Sequence, residues 1–222
     1  MQRIPEPELM DEFEQARAYA EADFSEPNER FVDLFEAQFP GSRSGTVLDL
    51  GCGPGDIALR LARRNPGLQV DALDGSRHML AHGEGRLRDA PELATRVRFV
   101  LGILPGAKLP RSRYDAIVSN SLLHHLHDPQ VLWRAVLEYG APGAAVLVMD
   151  LFRPASAGEA QEIVEAYSGE EPELLKRDFY NSLCAAFDPA EVRDQLARSG
   201  LSALEVRTVS DRHMVVAGRL PG

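Results

Sequence analysis

The stretch Val47-Leu48-Asp49-Leu50-Gly51-Cys52-Gly53-Pro54-Gly55-Asp56 decides the fold. An apolar run meets an acid, three glycines follow at alternate positions, and Ile57-Ala58-Leu59-Arg60-Leu61-Ala62 continues with helical periodicity. Strand, tight glycine turn and helix make a ligand loop at the carboxyl end of a parallel strand. The glycines let a ligand approach bare backbone, because no Cβ intervenes. A dinucleotide loop wants G-x-G-x-x-G with pyrophosphate on the helix N-terminus. Here the third glycine comes one residue early and Asp56 stands at the helix start. A carboxylate there suits the helix dipole and repels a pyrophosphate. The expected ligand therefore carries no phosphate at this loop.

Working outward, Leu68-Gln69-Val70-Asp71-Ala72-Leu73-Asp74 reads as a second strand ending in a carboxylate, and Ser76 as the N-cap of the next helix. Asp74 lies about twenty residues past the glycines, where a ribose-binding acid stands in a nucleoside-binding βαβ unit. The alternation continues with strands at 97–101, 114–119 and 144–149. Asp128-Pro129 opens a helix that Gly140 stops, and Asp188-Pro189-Ala190-Glu191 is a capping box. Segments 203–209 and 213–219 are close enough for an antiparallel hairpin. Residues 5–40 read as two helices, the second capped near Asn28 and ended by Pro40-Gly41. These elements imply an α/β, doubly wound, mostly parallel sheet with a mixed edge.

The pattern Asp49-x-Gly51-x-Gly53-x-Gly55 resembles motif I of the class I S-adenosylmethionine-dependent methyltransferases. The run Asp74-x-Ser76-x-x-Met79-Leu80 is similar to their second motif, and Tyr114–Asn120 with Leu122-Leu123-His124-His125-Leu126 to a phrase of their small-molecule members. The resemblance covers 46–218. It implies a seven-stranded Rossmann-like methyltransferase fold with an antiparallel C-terminal hairpin strand and an N-terminal helical cap. One domain spans 1–222: a cap at 1–45, a cofactor core at 46–151, a substrate-covering insertion at 152–187, and a terminal helix and hairpin at 188–222. S-adenosyl-L-methionine is the implied cofactor and S-adenosyl-L-homocysteine the product. Its implied contacts are Asp49, Gly51, Cys52, Gly53 and Gly55 in the loop, Asp74, Gly75 and Met79 after the second strand, and Asn120 after the fourth. Many members carry Gly-Asp after the third strand. This chain has Gly102-Ile103, so adenine recognition is expected from backbone groups, with Ile103 packed on the ring. Tyr19, on the helix before the sheet, is the candidate beside the methionine carboxylate.

Methyl transfer is an in-line displacement at carbon activated by positive sulfur, so alignment and exclusion of water do most of the work. A base is needed only where the nucleophile arrives protonated. His124 and His125 are candidates for it, with Tyr180 as a further catalytic candidate and Arg153, Asn181 and His127 as substrate contacts. The segment 152–187 is longer than a strand-to-helix connection needs, and is expected to cover the substrate mouth. No metal is expected: the crowded histidines lack both the i, i+4 spacing and the separate third ligand of helix-borne zinc sites.

The net charge of −10, without a Lys/Arg cluster, argues against nucleic acid or an anionic membrane as partner. Two cysteines, Cys52 and Cys184, make neither a disulfide framework nor a zinc site. No signal segment or spanning apolar run is read, so a cytoplasmic, soluble protein is expected; a monomer or homodimer is expected as its assembly. The expected activity is methyl transfer to the oxygen or nitrogen of a small polar metabolite. The alternatives are a non-catalytic cofactor-binding protein or another reaction on the same fold.

Overall fold

A computed structural model describes residues 1–9 and 11–222. The strands are β1 (Ser44–Leu50), β2 (Gly67–Asp74), β3 (Val97–Leu101), β4 (Tyr114–Asn120), β5 (Gly140–Leu151), β6 (Glu205–Thr208) and β7 (His213–Arg219). They form one sheet in the order β3-β2-β1-β4-β5-β7-β6. The first five run parallel, and β7 lies antiparallel between β5 and β6. The strand order reverses between β1 and β4. A crevice opens at the carboxyl ends of such a pair because the connections on either side leave in opposite directions.

Helices α1 (Phe13–Glu21), α2 (Ser25–Gln38), α3 (Asp56–Arg64) and α4 (Arg77–Arg88) precede α5 (Gln130–Tyr139), α6 (Ala157–Ser168), α7 (Glu173–Ala185) and α8 (Pro189–Arg198). One face of the sheet packs against α2, α3 and α4 through Phe31, Phe35, Leu61 and Leu80. The other packs against α5 and α8 around Trp133, whose indole N–H donates to Gln195 Oε1 at 3.0 Å. Both faces are covered, which is why β5 reads as a near-continuous apolar run. The expected capping box at Asp188 and Glu191 is present.

The N-terminal reading needs correction. Met10 lies outside the described residues; residues 1–9 are not helical. Pro5 and Pro7 lack the N–H a helix needs, and the Ile4 N–H donates instead to the Cys184 carbonyl at 3.0 Å. This extended strap crosses the carboxyl ends of α7 and the 123–125 turn. Asn28 is not a cap. The Asp23 carboxylate accepts the Ser25 N–H at 2.9 Å, α2 starts at Ser25, and Asn28 is buried within it. Among the described residues no helix is long and apolar enough to cross a membrane.

Candidate functional site

A cleft of about 560 Å³ opens over the carboxyl ends of β1, β2, β4 and β5. At its inner end is the glycine loop. Gly53 has φ +53°, and a Cβ built there meets nothing within 4 Å, so it presents bare backbone to the cleft. Gly55 is different and does not line the cleft. It caps α3 at φ +81°, and a Cβ would lie 2.5 Å from the Phe99 ring. Its absent side chain serves packing of the loop onto β3 and α4. Arg86 pairs with Asp56 and donates to the Ala20 carbonyl at 2.7 Å, which neutralises the helix-start acid and ties α4 to α1.

Two acids face the loop. Asp74 Oδ2 accepts the Gly53 N–H at 2.7 Å and Oδ1 accepts the Ser76 N–H at 2.8 Å. Burial nonetheless raises its pKa above the ordinary value. Asp49 is almost completely buried, and burial, with the Asp74 charge second, pushes it up to about 7. Among the described residues its Oδ2 has no hydrogen-bond partner. An orphaned buried carboxylate oxygen costs free energy that a cationic ligand would recover. Asn120 Oδ1 is likewise unpartnered, while its amide donates to Asn28 Oδ1 at 3.5 Å.

Gly51, Cys52, Gly75, Met79, Gly102 and Ile103 all line the cleft. Ile103 is 63% exposed at its mouth, and Leu9 from the N-terminal strap reaches over Gly75 beside it. Tyr19 lines the same wall against Phe24, ring centroids 4.7 Å apart; burial, then Asp56 and Asp74, raise its hydroxyl to about 12.

At the other end stand His124 and His125, on a 3-10 turn (Leu123–His125) after β4. His124 Nδ1 lies 2.5 Å from Asp150 Oδ1, at the end of β5. Asp150 Oδ2 accepts the Leu123 N–H at 2.7 Å, which fixes the carboxylate against the turn. With Asp150 ionised, the ring proton sits on Nδ1 and the Nε2 lone pair is free. Burial lowers the His124 pKa, but Asp150 and Glu6 outweigh it and the net shift is upward. Burial and the neighbouring His124 push His125 down to about 3. Glu6 Oε1 lies 3.6 Å from His124 Nε2 and 3.3 Å from His125 Nδ1, and accepts from Ser182 at 3.0 Å.

The 152–187 segment forms α6 and α7, and Tyr167, Leu175, Asp178 and Phe179 border the cleft. Gln15 on α1 donates to Asp178 at 3.0 Å, and Arg212 stacks 3.2 Å from the Tyr167 ring centroid. These contacts tie α7 to α1 and α6 to the connection between β6 and β7.

Besides Gly55, four predicted residues are elsewhere. Arg153 is buried against Asp188 (3.3 Å) and Glu191 (2.9 Å), its charge already used to brace α8. Tyr180 packs with the Leu151 and Ile163 cluster between α6 and α7. Asn181 is exposed on the outer face of α7. His127 is exposed and its Nε2 meets the Glu6 carbonyl at 2.8 Å, fastening the strap. Asp150, by contrast, is a site residue that sequence reasoning passed over. Its signal was there, an acid ending an apolar strand as Asp74 does. Glu6 had none.

A family model described as a methyltransferase domain matches residues 48–169. An uncharacterized methyltransferase of Mycobacterium tuberculosis is 35% identical over 108 residues, 49% of this chain and 51% of that protein. A trans-aconitate 2-methyltransferase of the same species is 37% identical over 106 residues, 48% of this chain and 37% of that protein. The matches thus span about half, or less, of these relatives' own length. Among solved structures, a putative S-adenosyl-L-methionine-dependent methyltransferase of Methanococcus maripaludis superposes with a TM-score of 0.73 at 18% identity, covering 100% of this chain and 98% of that one. The Haemonchus contortus phosphoethanolamine N-methyltransferase 2, in complex with S-adenosyl-L-methionine, gives 0.68 at 16%, covering 87% and 53%. With the family model running from β1 through α6, the chain belongs to the methyltransferase domain family, within the class I S-adenosylmethionine-dependent methyltransferases.

Proposed function

We propose that this protein transfers the methyl group of S-adenosylmethionine to an oxygen or nitrogen of a small polar metabolite. The observation that carries the reading is one continuous cleft with a nucleoside-type end and a proton-handling end. The first holds Asp49, Asp74 and the bare Gly53 backbone, and the second the His124–Asp150 pair. Asp74 takes the ribose hydroxyls, Asp49 faces the cofactor's ammonium group, and Met79, Leu9 and Ile103 supply apolar contact to adenine. Tyr19 closes the wall beside the methionine portion.

The new bond forms between the acceptor atom and the methyl carbon as the carbon–sulfur bond breaks, its electron pair going to sulfur. The acceptor's proton passes to His124 Nε2, and Asp150 stabilises the imidazolium. His125, at about 3, stays neutral at physiological pH and is too weak a base for that step. The α6–α7 cover excludes water, which protects the sulfonium and strengthens the electrostatics inside. The cytoplasm is the compartment this reading supposes, with the chain a monomer or homodimer.

The test is incubation with isotopically labelled S-adenosylmethionine and pooled small metabolites, trans-aconitate among them, with mass spectrometry of labelled products. A labelled metabolite is expected. Asp74→Ala should weaken cofactor binding by about 1.5–3 kcal/mol, and His124→Gln should lower turnover by roughly 10²–10⁴-fold with cofactor affinity kept. Tight cofactor binding with no labelled product from any pool would favour a non-catalytic binder.

A further inference from the structure

The strap brings to the histidine turn the ligand that the local sequence lacks. Glu6, His124 and His125 each offer one ligand atom, all within 4.8 Å of one another. Glu6 Oε1 is 3.3 Å from His125 Nδ1 and 3.6 Å from His124 Nε2. Ligand atoms bound to one tetrahedral ion at 2.0–2.1 Å lie about 3.3–3.4 Å apart, so this spacing suits a single cation. The ring tautomers agree. Asp150 binds the far nitrogen of His124, the carboxylate–histidine arrangement that orients a metal ligand and raises its basicity. His125 has a backbone partner at Pro7, and its Nδ1 is buried with no hydrogen-bond partner among the described residues despite the nearby carboxylate. The Ser182 hydroxyl donates to the same Glu6 Oε1 at 3.0 Å and fixes its position beside the histidines.

We infer that Glu6, His124 and His125 form a divalent transition-metal site, with Asp150 as the positioning residue and an open coordination position toward the cleft. Two imidazoles and one carboxylate favour Zn²⁺, Fe²⁺ or Co²⁺ over Mg²⁺ or Ca²⁺, which prefer all-oxygen shells. The inference rests on the methyl-transfer reading and refines it. With the ion bound, His124 Nε2 is a ligand and no longer takes the proton; the acceptor's hydroxyl oxygen takes the open position, the ion lowers its pKa, and its proton passes to bulk water before the oxygen attacks the methyl carbon. A hydroxyl-bearing acceptor then becomes the favoured substrate class.

Chelator-stripped protein should be titrated with Zn²⁺ by calorimetry and with Co²⁺ by visible absorption. The expected result is one ion per chain and a Co²⁺ spectrum of low coordination number with nitrogen and oxygen ligands. Glu6→Gln and His125→Ala should each weaken the ion more than tenfold, and Asp150→Asn by about 10–100-fold. S-adenosylhomocysteine affinity, measured on the same samples, reports that each variant is folded. No stoichiometric ion in wild-type protein that binds S-adenosylhomocysteine would overturn the metal site and leave the methyl-transfer reading standing. So would binding that Glu6→Gln and His125→Ala leave unchanged. One ion per chain without S-adenosylhomocysteine binding would instead support the site and remove that reading.

Discussion

Cofactor binding should release a proton from Asp49. Burial first and Asp74 second hold this carboxyl at about 7, with one oxygen lacking any partner among the described residues. At about pH 6 a group with that pKa is roughly 90% protonated. A cationic ammonium brought within about 4–6 Å lowers such a pKa by 1–3 units. Taking about two units, binding at pH 6 expels roughly 0.8 proton, and about eightfold in affinity is lost between pH 7.5 and pH 6. Calorimetric titration of S-adenosylhomocysteine in two buffers of different ionisation enthalpy reads the proton count directly. Asp49→Asn should abolish both the release and the pH dependence. The sign for stability is also fixed. The folded pKa lies above the unfolded one, so the empty protein loses stability as pH rises from about 4 to about 7, and the Asn variant escapes that loss. The empty variant should therefore melt higher than wild type at about pH 8 while binding cofactor more weakly. An unchanged proton release in Asp49→Asn, or none in wild type at pH 6, would refute the reasoning.

Arg153→Met should lower the melting temperature by removing charge-assisted hydrogen bonds to Asp188 and Glu191, at a cost of about 1.5–3 kcal/mol, because both acids are 40% exposed and stay solvated. Substrate KM should stay as in wild type; a rise in KM at unchanged stability would return Arg153 to the pocket. Gly55→Ala combines a left-handed backbone with a clash against Phe99, and should cost roughly 1–3 kcal/mol in denaturant melts. Equal stability would mean the loop is free to move away from β3.

The chemistry that is local in the chain was readable from it. The glycine loop, Asp74 after β2 and the alternation of strands are each set by a few adjacent residues. Local periodicity and turn chemistry act over that range. The same locality explains the misplacements. Arg153 and Asn181 sit in a segment that covers the cleft, but which side of α7 faces it depends on packing against α6, and Arg153 finds its acids 35 and 38 residues away.

What sequence alone determined is the alternation of strands and helices, the glycine loop and the acid that ends β2. Only the tertiary structure decided the other end of the cleft. Asp150 meets His124 because β4 and β5 are neighbouring parallel strands ending at the same level. Glu6 meets both histidines across more than a hundred residues because a proline-bearing strap, unable to coil, pairs with the end of α7 instead. Such contacts depend on how separate elements dock, and no periodicity along the chain records that.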